Sequence, residues 1–191
     1  MDASATSDET LLLRYATGDV AAFEELYARH ELPLWRYVLR TSGNRATAEE
    51  LLQDTWFAVA REASRFKPGA HFAAWLYTIA RNRVIDRHRT TRRHASLDET
   101  AAETGLSLAE RLADAAAPQP AQQAEQAQQG KAILAALALL PPEQREAFVL
   151  QAESGMSVEE IAAVTGTTFE TAKSRLRYAR EKLKALLGDH A

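Results

Sequence analysis

Cysteine is absent from the 191 residues. That excludes disulfides, thiolate zinc sites and thiol redox switches, so any control must reach the chain by another route. Long apolar runs are absent too: the longest, Ala132 to Leu140, has nine residues, well short of the ~20 needed to span a bilayer. Met1 to Glu9 is acidic and polar rather than basic and then apolar, which does not fit a secretory leader, and a cytoplasmic protein is the expectation. The five histidines, His30, His71, His88, His94 and His190, show no metal-ligand spacing and read as surface polar residues. Neither a nucleophile paired with a base nor a glycine-rich phosphate loop is recognisable. No cofactor and no enzymatic activity are expected.

Strand patterns are nearly missing, whereas helix signals recur along the whole chain. With 46% hydrophobic and 26% charged residues, the chain has enough apolar material for one modest core or two small ones. Asp19 is positioned to cap a helix carrying Phe23, Leu26, Tyr27, Leu34, Trp35 and Val38, with Pro33 as a kink and Thr41 to Asn44 as a turn. Thr47 and Glu50 have capping-box spacing ahead of Leu52, Thr55, Trp56, Val59 and Ala63, and the Phe66 to Gly69 segment breaks that helix. The helix from about His71 to Arg89 begins apolar and ends basic, so one end belongs in a core and the other in solvent or on a ligand. Trp75 is placed in the core.

From His94 to about Gln129 the sequence turns to Ala, Gln, Glu and Pro with few large apolar residues. This reads as a flexible linker, in which Ser96 and Glu99 have the spacing to cap a short helix. Helical pattern resumes at Ile133, Leu134, Leu137 and Leu140, stops at Pro141-Pro142 and restarts at Ala147. The fold class is therefore all-α, with two small helical domains at 10–93 and 130–187 joined by a linker at 94–129.

The net charge of −3 conceals a strong separation of sign. Arg81 to Arg93 holds six arginines against Asp86, and Lys173 to Lys184 holds six basic residues against Glu181, each a net +5. Met1 to Glu31 and His94 to Gly130 each come to −5. Two basic patches separated by an acidic stretch fit two contacts with one polyanion.

The second patch lies in a helix-turn-helix pattern. Ser157 and Glu160 make a capping box for a short helix, Gly166 supplies the turn, and Thr167 and Glu170 make another box for a helix running to about Leu187. In that last helix Lys173, Arg177, Arg180 and Lys184 share one face, while Ala172, Leu176, Ala179 and Leu183 share the other. One face packs and the other is free to enter a major groove.

The runs AEELLQDTWFAVAREASRF and FAAWLYTIARNRVIDRHR resemble region 2 of extracytoplasmic-function sigma factors, and LPPEQREAFVLQAESGMSVEEIAAVTGTTFETAKSRLRYAREKL resembles region 4 of the same family. The resemblance implies a sigma factor that joins core RNA polymerase to promoter DNA, under an anti-sigma partner that in this family can be membrane-anchored. It places polymerase contacts on Glu50, Gln53, Asp54 and Phe57, opposite the apolar stripe of their helix. It places minus-ten readout on Asn82, Asp86 and Arg89, flanked by Arg83 and Arg87, with Lys67 and His71 in the loop where relatives cradle a flipped base. Minus-thirty-five readout falls on Lys173, Ser174, Arg175 and Arg177, with Arg180 on phosphate. Thr78-Ile79 stands where primary sigma factors carry a tryptophan pair for melting. Glu170, Ala172 and Tyr178 replace the glycine, valine and arginine usual in relatives. A stand-alone helix-turn-helix regulator and a sigma-like decoy are the alternative readings.

Overall fold

The computed structural model describes residues 6–67, 69–95 and 121–188. Among them are eight α-helices and no strand: α1 (Asp8–Ala16), α2 (Val20–Ser42), α3 (Arg45–Glu62), α4 (Phe72–Ala95), α5 (Ala121–Ala138), α6 (Pro142–Ser154), α7 (Val158–Thr165) and α8 (Phe169–Leu187), with a 3-10 turn at Ala63–Arg65. Most of the stretch read as a linker, including the Ser96–Glu99 cap, lies outside the described residues. Helix α5 begins at Ala121, inside that stretch, because alanine and glutamine favour helix even without apolar residues to pack.

The N-terminal unit packs α1, α3 and α4 around α2. Leu11, Leu26, Leu34, Val38, Val59, Phe72 and Leu76 are fully buried there, each removing on the order of 1.5–3 kcal/mol of apolar surface from water. Asp19 caps α2 through Ala22 N–H at 3.3 Å, and Pro33 lies within α2 without ending it. The turn after α2 is shorter than its sequence suggests. Thr41 and Ser42 stay helical, and the chain reverses at Gly43, whose φ of 69° is the left-handed conformation glycine adopts without penalty.

Two expected caps are corrected. Helix α3 starts at Arg45, and Asn44 rather than Thr47 supplies the cap, its side chain accepting from Thr47 N–H at 3.0 Å. Asparagine just before the first helical residue offers its carbonyl to an unpaired N–H, so the helix begins three residues before the Thr47–Glu50 pair could open it. At α8 the cap is Thr168, accepting from Thr171 N–H at 3.2 Å, rather than Thr167; Glu170 sits in the first turn, where its charge still suits the helix dipole. The Ser157–Glu160 box forms as expected, with both reciprocal hydrogen bonds present.

Trp75 is half-buried rather than fully enclosed, and packs edge-on against Phe66 with ring centroids 5.3 Å apart. His30 is not a surface residue: its Nε2 lies 2.7 Å from Asp8 Oδ2 and its ring packs on Phe72. The start of α4 is held from a distance by Glu9 of α1, whose carboxylate accepts Phe72 N–H at 3.0 Å.

In the C-terminal unit α5, α6 and α7 pack on α8. Pro142 occupies the first turn of α6, where its missing N–H costs nothing. Gly166 closes the α7–α8 turn at φ 65°. The two units also touch: α6 lies along α2, and α7 lies against α4.

Candidate nucleic-acid and polymerase interfaces

Helix α8 divides as its spacing predicts. Ala172, Leu176, Ala179 and Leu183 are buried against α6 and α7, while Lys173, Arg177, Arg180 and Lys184 are exposed. Ser174 and Arg175 lie at the margin, half-buried. The cations are loosely held. Lys173 Nζ sits 5.7 Å above the Phe169 ring, and Arg177 stacks on Tyr178 at 4.4 Å while lying 3.6 Å from Glu181 across an exposed turn. Arg180 reaches Gln151 of α6. Such exposed pairs are worth little in water and are readily exchanged for phosphate. Tyr178, exposed in place of a relative's arginine, gives Arg177 a flat surface rather than a second positive charge.

On α4, Asn82, Asp86 and Arg89 follow 4 and 3 spacing and are exposed on one side of the helix, with Arg87 exposed and Arg83 half-buried beside them. Asp86 and Arg89 lie 3.9 Å apart. Val84, Ala80, Tyr77 and Leu76 turn inward, so the change from apolar to basic along α4 carries the helix from core to surface. Thr78 donates its hydroxyl to Ala74 carbonyl at 2.7 Å, and Ile79 is half-buried. Neither offers the exposed aromatic face that a tryptophan pair would.

In the loop before α4, Lys67 is exposed and its carbonyl accepts from Ala70 N–H at 3.1 Å; Gly69 takes φ 85° in this turn. His71 stands apart from the other minus-ten candidates. It remains 74% exposed, and its Nδ1 lies 3.0 Å from Glu160 of α7.

The four residues assigned to polymerase are all exposed along α3. Phe57 is 65% exposed. It borders a surface cleft of about 480 Å³ between α2 and α3, walled by Phe23, Tyr27, Leu52, Gln53 and Trp56. A mostly apolar hollow beside an exposed phenyl ring, with Glu50 and Asp54 on the same helix, suits a helix presenting apolar and basic side chains. The cleft itself left no mark in residue spacing, since Phe23 and Tyr27 of its wall come from α2 and the rest from α3.

Sequence reasoning also missed the charged contacts between the two units. Arg81 Nε donates to Glu146 Oε1 at 2.9 Å, Tyr37 hydroxyl donates to the same oxygen at 3.3 Å, and Arg40 and Arg36 both face Glu153. Desolvation, together with the neighbouring Glu146 carboxylate, pushes the buried Tyr37 hydroxyl far above its usual pKa, and burial lowers that of Arg40. Pairs so distant in sequence leave no periodic signal.

Comparison with known proteins gives two family matches in chain order: sigma-70 region 2 over residues 26–94 and sigma-70 region 4 over residues 130–183. The chain is 36% identical over 179 residues to RNA polymerase sigma factor CarQ of Myxococcus xanthus, covering 92% of this chain and 95% of that protein. It is 33% identical over 184 residues to ECF RNA polymerase sigma factor SigM of Mycobacterium tuberculosis, covering 95% and 85%. Among solved structures, CnrH in complex with the cytosolic domain of CnrY is 28% identical, with a TM-score of 0.67 over 97% of this chain and all of that one. The sigma factor RpoE bound to the anti-sigma factor NepR of Bartonella quintana is also 28% identical, with a TM-score of 0.71 over 88% and 98%.

Proposed function

Because the chain belongs to the extracytoplasmic-function sigma factors of the sigma-70 family, we propose that it binds core RNA polymerase and directs initiation at promoters with minus-ten and minus-thirty-five elements. The observation that carries this reading furthest is α8: a packed helix-turn-helix whose outer face presents Lys173, Arg177, Arg180 and Lys184. A helix of that kind enters the major groove with its N-terminal residues toward the bases. Lys173, Ser174, Arg175 and Arg177 are the base-reading candidates, and Arg180 the phosphate contact.

On the first unit, Asn82 and Asp86 have the amide and carboxylate that hydrogen-bond base edges, with Arg83, Arg87 and Arg89 as phosphate partners. Lys67 and His71 border the pocket for a flipped base. The α2–α3 cleft, with Glu50, Gln53, Asp54 and Phe57, receives the polymerase. The boundaries 10–93 and 130–187 delimit the two working units.

A solved relative held by an anti-sigma factor supports control of this protein by a partner of that kind. Promoter recognition then depends on release from the partner. No helix among the described residues is long and apolar enough to cross a membrane, in keeping with a protein working on cytoplasmic DNA, and the proposed role needs no catalytic group.

The test is run-off transcription from a promoter library with core polymerase, with and without this protein. Initiation only when it is present supports the reading; no initiation in either case overturns it.

A further inference from the structure

Helix α4 begins without a cap of its own. The segment from Phe66 to His71 contains no Ser, Thr, Asp or Asn, the residues that ordinarily accept the unpaired N–H groups of a first turn. His71 stands at the cap position, where its carbonyl accepts from Trp75 N–H at 3.1 Å. The missing acceptor comes from 63 residues away: the Glu9 carboxylate of α1 accepts Phe72 N–H at 3.0 Å. A carboxylate there also meets the positive end of the helix dipole. Because the cap is supplied from outside, position 71 is released from capping, and the His71 side chain stays 74% exposed.

Glu9 is itself held in place by its neighbours. Asp8 Oδ1 lies 2.7 Å from Arg29 Nη1 and Asp8 Oδ2 lies 2.7 Å from His30 Nε2, both residues of α2. Arg29 Nη1 donates as well to the Thr6 carbonyl at 2.7 Å, and Leu11 and Leu12 of α1 are fully buried. His30 then packs on the Phe72 ring with centroids 5.1 Å apart. The contacts close a circuit. Phe72 is gripped at its N–H by Glu9 and at its ring by His30, and the first turn of α1 anchors both.

The circuit bears on the loop that precedes α4. Helix α1 packs on the 3-10 turn at Ala63–Arg65 as well as on α4, so it touches the chain on both sides of that loop. Trp75 draws the same two ends together, with ring centroids 5.3 Å from Phe66 and 6.2 Å from Phe72. Within the described residues of the loop the hydrogen bond is Ala70 N–H to the Lys67 carbonyl. Lys67 and His71 are therefore placed by the anchoring of the loop ends more than by contacts inside it. Unstacking a base is costly, and pocket walls already in position offset most of that cost.

We propose that Glu9 is a positioning residue for minus-ten recognition: acting through Phe72 rather than on DNA, it sets the loop that carries Lys67 and His71. The inference rests on the minus-ten role proposed above for that loop, whereas the circuit itself rests on side-chain contacts alone. Hydrogen exchange on the free full-length chain reads the circuit without DNA. The Phe72 amide should exchange slowly in the parent and several-fold faster in Glu9→Ala, with α2 and α3 unchanged. Equal exchange at Phe72 overturns the circuit. If Glu9→Ala loses its helical circular dichroism, Glu9→Asp, one methylene shorter, takes its place in every measurement.

The positioning role is tested in holoenzyme, on promoter fragments whose minus-ten strand is unpaired. Affinity for the preferred base at the flipped position is divided by affinity for an abasic site there, so that loss of active protein cancels. The same ratio is taken for a substitution in the minus-thirty-five element. Glu9→Ala should lower the minus-ten ratio several-fold and leave the other unchanged. Glu9→Gln keeps an oxygen within reach of Phe72 N–H and should stay near the parent. Asn44→Ala removes the α3 cap and serves as a destabilised control that should move neither ratio. A minus-ten ratio that Glu9→Ala leaves at the parent's value, or that Asn44→Ala lowers equally, overturns the positioning role. A parent with no preference at any minus-ten base would overturn the minus-ten reading instead, leaving exchange at Phe72 to decide the circuit.

Discussion

Arg87 of α4 and Glu50 of α3 meet at 3.1 Å, joining the helix assigned to the minus-ten element to the helix assigned to polymerase. Both side chains are about half exposed, so the pair adds little to stability. Its consequence is for binding, since Arg87 has only to leave one exposed carboxylate to take a phosphate. Arg87→Ala should weaken holoenzyme binding to all promoters to a similar degree and reduce the slope of log affinity against log salt by about 1. Filter binding over a salt series reads both quantities; a loss confined to one base pair would identify Arg87 as a base contact instead.

Phe57 should matter to polymerase and not to the fold. At 65% exposure its phenyl ring contributes little to the core, yet a large apolar side chain beside a cleft has the character of an interface anchor. Phe57→Ala should cost at least ~1 kcal/mol in affinity for core polymerase and leave the melting temperature nearly unchanged. Fluorescence anisotropy against core polymerase, with a thermal melt of the same sample, checks the two halves separately.

Arg175 tests the minus-thirty-five assignment. Arg175→Ala should reduce promoter affinity by about 1–3 kcal/mol and relax preference at one base pair if the guanidinium binds a guanine edge. Competition among minus-thirty-five variants measures this, and uniform weakening would make Arg175 a phosphate contact.

The start of α3 distinguishes two capping residues. Asn44→Ala should destabilise the chain by about 1 kcal/mol because its carbonyl is the acceptor for Thr47 N–H. Thr47→Ala should change stability by less than about 0.5 kcal/mol. Urea unfolding of the two variants decides between them, and a larger loss for Thr47 would restore the capping box.

These outcomes bear on what was legible in the sequence. The α8 faces were readable because a single helix carries both its packing residues and its exposed basic residues at fixed spacing. The exposed row Glu50, Gln53, Asp54 and Phe57 was readable for the same reason. The α3 and α8 caps were misplaced because several Asn, Ser and Thr residues stand near each helix start, and backbone geometry selects which one accepts the hydrogen bond. The pairs Arg81–Glu146, Arg40–Glu153 and Glu9–Phe72 N–H were not readable at all. Each unites residues far apart in the chain, and no local pattern specifies which carboxylate meets which donor.

Glu9 gives the pH dependence. The hydrogen bond from Phe72 N–H is the main cause that holds its pKa below the ordinary 4.5, working against the desolvation that would raise it. A lowered folded-state pKa contributes stability that is present above 4.5 and lost as pH falls through the folded value. Glu9→Gln should therefore flatten the stability profile below about pH 4.5 relative to the parent. Thermal melts from pH 3 to pH 6 read the difference, and parallel profiles would remove Glu9 from the account.

The central claim is that two separate units read two separate promoter elements for one polymerase. The most direct measurement is run-off transcription from a randomised promoter library with core polymerase and this protein, followed by sequencing of the templates that initiate. The account predicts two enriched blocks, one near minus ten and one near minus thirty-five, at a fixed separation. A single enriched block, or no initiation that depends on the protein, would contradict it.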